Sequence, residues 1–163
     1  PNISFLIGRL TNLYGEEQNL RKPQGIISHL VRCLLHHLPI HIAVPLDTIR
    51  DYLYVGDAAR AIVRCLAMLD AGTHGGAQGL VKIFAAERTT TIAELIGTVA
   101  RISRRQPRLV CGVRPRTAEQ ARRIRFRSTT LRAMNPAPLT SLPVGIDRVF
   151  RHQMLLHQRG LLP

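Results

Sequence analysis

The chain has 163 residues, with 23 Lys+Arg against 10 Asp+Glu, a formal net charge of +13 and a sequence pI near 11.4. That length suits one ordinary domain, and 45% hydrophobic residues at a mean hydropathy of +0.03 provide enough apolar side chains for a real core, which excludes a disordered basic tail. The longest apolar stretch, Gly25 to Leu46, is broken by His29, Arg32, His36, His37, Pro39 and His41, which a helix spanning a membrane would not carry.

The first strand candidate is Ile3 to Ile7, a buried apolar run ending at Gly8. It follows Pro1 directly, with no basic n-region or cleavage site, so the expectation is a piece cut from a longer protein. A polar loop is predicted from Arg9 to Gln24, with Asn12, Gly15 and Pro23 as its turn residues. Ile26, Ile27, Leu30, Val31, Leu34, Leu35 and Leu38 then recur at helical spacing, which predicts a helix over Gly25 to Leu38 stopped by Pro39. A short strand follows at Ile40 to Val44.

Ile49 to Val55 reads as extended and leads into Asp57, the predicted N-cap of a helix that ends near Gly72. Its inward face is Ala58, Ala61, Ile62, Cys65, Leu66 and Leu69. Thr73 to Gly79 is a predicted loop and Leu80 to Ala85 a buried strand. Thr91-Ile92-Ala93-Glu94 is a capping box that opens a helix ending near Pro107. Leu109 to Val113 is a further strand candidate, Arg114 to Arg127 is basic and irregular, and Leu131 to Met134 is a single helical turn. Asn135-Pro136-Ala137-Pro138 forces an extended stretch, after which Ser141 and Pro143 start a last helix that ends at Gly160. Strands alternate with helices through most of the chain, so the fold class is α/β.

Chemistry-bearing residues are sparse. Cys33, Cys65 and Cys111 are odd in number and widely spaced, with no C-x-x-C pair, which reads as three buried thiols in a cytoplasmic protein rather than a disulfide framework or zinc site. His36, His37 and His41 do not repeat at i, i+4 within one helix, and His152 and His157 are off register by one, so no metal is expected. The chain has no G-x-G-x-x-G, G-x-x-x-x-G-K, G-x-S-x-G or H-E-x-x-H. Its positive charge is nearly all arginine, Lys22 and Lys82 being the lysines, and no interleaved aromatic and basic platform accompanies it. A basic nucleic-acid-binding module is therefore the competing reading, carried by charge alone.

Three segments carry a resemblance. Arg9-Leu10-Thr11-Asn12-Leu13-Tyr14-Gly15 is similar to R-x-x-N-x-Y-G, Arg50-Asp51-Tyr52-Leu53-Tyr54-Val55-Gly56-Asp57-Ala58-Ala59 to R-D-Y-hydrophobic-Y-V-x-D-x-A, and Pro138-Leu139-Thr140-Ser141-Leu142-Pro143-Val144-Gly145-Ile146 to P-x-T-S-L-x-x-G-I. In this order they resemble the C-terminal part of the extended short-chain dehydrogenase/reductases, the NAD-dependent nucleotide-sugar epimerases and dehydratases. The resemblance implies a Rossmann-like fold, with residues 1–72 as its last strands and helices and residues 80–163 as a small α/β substrate-binding lobe. It also implies that the glycine-rich NAD or NADP loop and the catalytic Tyr-x-x-x-Lys pair lie in an N-terminal half that this chain lacks, so the chain alone is catalytically silent. Tyr14, Tyr52 and Tyr54 are not followed by Lys at i+4.

By the same resemblance Arg50 reaches the diphosphate of a nucleotide-sugar substrate, for which a guanidinium fork is suited. As plain chemistry it is also a surface arginine that pairs with Asp47 or Asp51. Asn12, whose amide can donate and accept, is implied to hold the sugar nucleotide, although an Asn in a Gly-containing loop is equally a turn residue. Leu10 and Thr11 are implied to lie beside the nicotinamide through their backbone. Arg116, followed by Glu119 at i+3, stands where the family has its last Arg-acid pair. The glycine-containing turn before R-D-Y is replaced by Pro45-Leu46-Asp47-Thr48. The family further implies a homodimer in the full-length protein, and a reductase acting on something other than a sugar nucleotide is the nearest alternative activity.

Overall fold

Strand β1 (Phe5–Leu10) pairs in parallel along its whole length with β5 (Gly79–Phe84), Phe5 lying opposite Gly79 and Leu10 opposite Phe84. This computed structural model describes residues 3–22, 24–72, 79–112, 123–130, 132–135 and 138–163. The expected end of the first strand at Gly8 is corrected: β1 runs through it, because a Cβ there would sit 3.1 Å from the Phe84 ring and glycine lets the two strands lie flush. The predicted loop from Arg9 to Gln24 likewise holds the end of β1 and a second strand, β2 (Asn12–Tyr14). Thr11, between them, donates its N–H to the Phe84 carbonyl at 3.1 Å.

Past Thr11 the chain joins a different sheet. β2 is parallel to β4 (Ile49–Tyr54), which is antiparallel to β6 (Thr89–Thr91); β3 (Ile40–Ile42) pairs in parallel with β7 (Leu109–Cys111). Side chains alternate across β4: Tyr52 and Tyr54 enter one core, and Leu53 enters another. The first core is built by α1 (Ile26–Leu35), α3 (Ile92–Ser103) and α4 (Leu142–Gln158), which bury Leu30, Val31, Leu95, Val99, Ile146 and Val149 almost completely. Burying each such side chain contributes roughly 1.5 to 3 kcal/mol. The second core is smaller, with Ala58, Ala61 and Cys65 of α2 (Val55–Asp70) against Leu53 and Phe84.

Several boundaries differ from the sequence pattern. α1 stops at Leu35, before Pro39, because His37 takes a left-handed conformation (φ 56°) and Leu38 donates its N–H to the Cys33 carbonyl at 2.8 Å. α3 ends at Ser103 with Arg104 left-handed, short of Pro107. Asp57 is not an N-cap: Tyr54 holds that position, and Asp57, one turn in and 1% exposed, accepts from the Thr140 N–H and hydroxyl and from Arg60. The Thr91–Glu94 capping box forms with both reciprocal hydrogen bonds, which hold the Glu94 carboxyl below the usual range. Of the three thiols only Cys65 is buried; Cys33 is half-buried and Cys111 exposed. β6 has no apolar alternation to announce it, and forms because Thr89–Thr91 lies against the start of β4.

Candidate functional site

The three family-like segments converge. The Tyr14 and Tyr54 rings meet edge to face at 5.8 Å. Gly145 of α4 lies under Tyr14 so closely that a Cβ would collide with its hydroxyl, and Gly15 packs so that a Cβ would collide with Val55. The glycines of the first and third segments are thus there for close approach. Burial, with Asp57, Tyr54 and Glu16 adding to it, keeps the Tyr14 phenol protonated far above its ordinary range.

Thr11 is the residue at which the backbone passes from the β1–β5 sheet to the β2–β4–β6 sheet, and the residues singled out in the sequence surround that crossing. Leu10 ends β1 with its side chain 46% exposed. Asn12 is exposed and lies opposite Tyr52; its Nδ2 donates to the Asp51 carbonyl at 2.9 Å, which fixes the amide and leaves its second N–H directed elsewhere. Arg50 lies two residues before Tyr52 and so on the same face of β4 as Tyr52 and Asn12. It is half-buried, and its Nη1 donates to the Ile49 carbonyl at 2.8 Å. Asn12 and Arg50 therefore share one face, Asn12 opposite Tyr52 and Arg50 one same-face step along β4 from it. Burial pushes the Tyr52 phenol up to about 12, against the opposing effect of Arg50.

Arg116 lies outside the described residues, as do Arg114 and Glu119. The chain re-enters description at Arg123, which bridges in parallel to Ile49, with Ile124 N–H directed at the Ile49 carbonyl. Arg123, exposed, therefore lies on the Ile49 face of β4 rather than on that of Arg50.

Asp51 corrects one expectation: it does not pair with Arg50. Its carboxylate, 1% exposed, accepts from Thr11 Oγ1 at 2.8 Å and from the backbone N–H groups of Ala86 at 2.9 Å and Arg88 at 3.1 Å. Alternation along β4 sends it to the face opposite Arg50. A signal existed in the sequence, since a carboxylate inside a strand of otherwise bulky residues must be exposed or fully hydrogen-bonded. A separate cavity of about 590 Å³ is lined by residues including Tyr14, Glu16, Val55 and His152, none of them among the implied ligands. Among the described residues no cluster of three or more His, Cys, Asp or Glu side chains could hold a metal ion, and no helix is long and apolar enough to cross a membrane.

Comparison with known proteins gives four findings. Residues 1–79 match the model of the NAD dependent epimerase/dehydratase family. The dTDP-4-dehydro-6-deoxyglucose reductase of Escherichia coli is 29% identical over 91 residues, 56% of this chain and 27% of that protein. Among solved structures, the UDP-glucose 4-epimerase of Thermotoga maritima, determined with UDP-glucose, superposes with a TM-score of 0.78 at 21% identity, covering 93% of this chain and 46% of that one. The UDP-glucuronic acid 4-epimerase of Bacillus cereus, determined with UDP-glucuronic acid and NAD, gives 0.77 at 19% identity over 93% and 45%. The fold is that of these Rossmann-like epimerases, and the chain spans less than half the length of either structure.

Proposed function

We propose, from the match of residues 1–79 to the NAD dependent epimerase/dehydratase family, that this chain is the nucleotide-sugar-binding part of an NAD(P)-dependent enzyme that works on a nucleotide-diphospho sugar. The observation that supports this most directly is the placement of Asn12 and Arg50 on one face, beside the crossing between the β1–β5 and β2–β4–β6 sheets. Ligands of open α/β sheets bind where strand C-termini diverge in this way.

In this reading Arg50, with Arg116, neutralises the diphosphate, and Asn12 donates its remaining amide proton to a phosphate oxygen. The binding energy is spent away from the reacting carbon, so it serves to fix the sugar ring in place. The backbone at Leu10 and Thr11 faces the nicotinamide. The fit is chemical: Leu10 offers an exposed apolar wall for a ring. NAD or NADP, when bound, supplies the hydride acceptor. Residues 1–72 act as the last part of the Rossmann-like unit and 80–163 as the substrate lobe, while the proton-transferring pair is supplied by sequence outside this chain, in a cytoplasmic homodimer. Epimerisation is the leading chemistry, and reduction of a nucleotide sugar is the second, favoured by the E. coli relative.

The test is calorimetric titration of UDP-glucose, dTDP-glucose and NAD into the full-length enzyme that carries this chain and into its Arg50→Ala variant. A charge-assisted hydrogen bond contributes roughly 1.5 to 3 kcal/mol, so the variant should bind nucleotide sugar about tenfold to a hundredfold more weakly. NAD affinity should change little. Unchanged sugar-nucleotide affinity removes Arg50 from the site, and loss of NAD binding instead reverses the placement of the two ligands.

A further inference from the structure

We infer that Asp51 is a positioning residue that sets the nicotinamide-facing backbone and the diphosphate-facing side chains in register with each other, an inference that rests on the proposed roles of Asn12, Arg50, Leu10 and Thr11. The carboxylate is buried with no cation paired to it among the described residues, a placement that is costly unless its oxygens are hydrogen-bonded. It is satisfied by donors from two distant parts of the chain. Oδ1 accepts from Thr11 Oγ1 and from the Ala86 N–H, and Oδ2 accepts from the Arg88 N–H. Backbone donors to an ionised acceptor make strong, short bonds.

Each donor belongs to a place where geometry matters. Thr11 is the crossing residue: its N–H is held by Phe84 and its hydroxyl by Asp51, so neither end is free to rotate. Its two neighbours are Leu10, on the cofactor side, and Asn12, on the substrate side. Ala86 and Arg88 flank Glu87, which is left-handed at φ 58°, a conformation that persists in a non-glycine residue only where its surroundings hold it. The turn therefore wraps the carboxylate. Asp51 also contributes its backbone carbonyl to the Asn12 amide. A single strand residue thus touches the crossing residue Thr11, its neighbour Asn12 and the turn that closes over them.

Asparagine cannot replace this carboxylate. Whichever oxygen becomes the amide NH2 meets a backbone N–H, that of Ala86 at one position and that of Arg88 at the other. Thr11→Val removes one bond at constant shape, and Thr11→Ser restores it; this pair decides the matter if Asp51→Asn does not fold.

The experiment titrates UDP-glucose into the 163-residue chain and records its amide NMR spectrum. Asp51→Asn should weaken binding by about tenfold or more and Thr11→Val severalfold, with Thr11→Ser returning to within about twofold of the parent. The Asn12 side-chain amide resonances should move in Asp51→Asn and Thr11→Val and stay in place in Thr11→Ser. In an Asn12→Ala background Thr11→Val should cost no further affinity, because the effect is transmitted through Asn12; a merely structural role would give additive losses. Parent-like affinity in Thr11→Val, or additive losses, overturns the inference while leaving the proposed function standing. A parent chain without affinity for UDP-glucose overturns both.

Discussion

On one face of β4, Tyr52 and Tyr54 are sealed beneath α1, α3 and α4, whereas among the described residues the β1–β5 sheet has one face covered. There α2 packs over Leu6 and Phe84, and the opposite side presents Phe5, Ile7 and Val81 at about half exposure. Parallel strands are ordinarily buried on both faces, and the uninterrupted run Phe5-Leu6-Ile7 is written for that environment. The contrast separates a region that completes its own core from a sheet whose apolar run suits a second covering layer.

Mutations should sharpen that contrast. Leu95→Ala, in the closed core, should cost about 2 to 5 kcal/mol of unfolding free energy by denaturant titration. Val63→Ala, on the outer face of α2 at 65% exposure, should stay within about 0.5 kcal/mol. Similar costs at the two sites would mean that α2 is covered in solution. Next in size is Gly145→Ala, which forces a methyl against the Tyr14 hydroxyl and should cost about 1 to 3 kcal/mol by overpacking.

Alkaline pH probes the same closed face. Burial raises the folded pKa of Tyr52 to about 12 from an unfolded value of 10.0. A folded pKa above the unfolded one gives a contribution that is complete below pH 10 and is lost as pH rises towards 12. Melting curves across that window should fall less steeply in Tyr52→Phe, and equal slopes would place Tyr52 in solvent. The smallest effect on stability is expected from Ile7→Lys on the bare face, near zero on an exposed position. Its signature is in sedimentation: the parent should self-associate through the Phe5–Ile7–Val81 patch, and the lysine variant should not.

What the sequence made legible follows the range of the interactions. The Thr91–Glu94 box and the apolar stripes of the four helices are local, so they could be read directly. The strand signals gave existence but not extent, since β1 passes Gly8 only because of Phe84, far along the chain. The three-residue strands β2 and β6 exist through their pairing with β4 and have no pattern of their own. At the candidate site, the family-like segments single out Asn12 and Arg50, but the hydrogen bonds of Asp51 are hidden in the sequence, because its donors come from Thr11, Ala86 and Arg88. Asp57 was misread for the same reason: its partner Thr140 lies in the third segment.

The parallel pairings described above also govern how this chain is made. Phe5 waits for Gly79, Asn12 for Tyr52 and Ile40 for Leu109, so none of the parallel ladders can close until a long stretch of later sequence has been synthesised. Folding dominated by such distant partners is slow, and during translation the β1 edge stays open with its apolar side chains uncovered. Synthesis rate and chaperone supply should therefore govern the yield of soluble protein more strongly than any single core substitution that leaves the pairing intact.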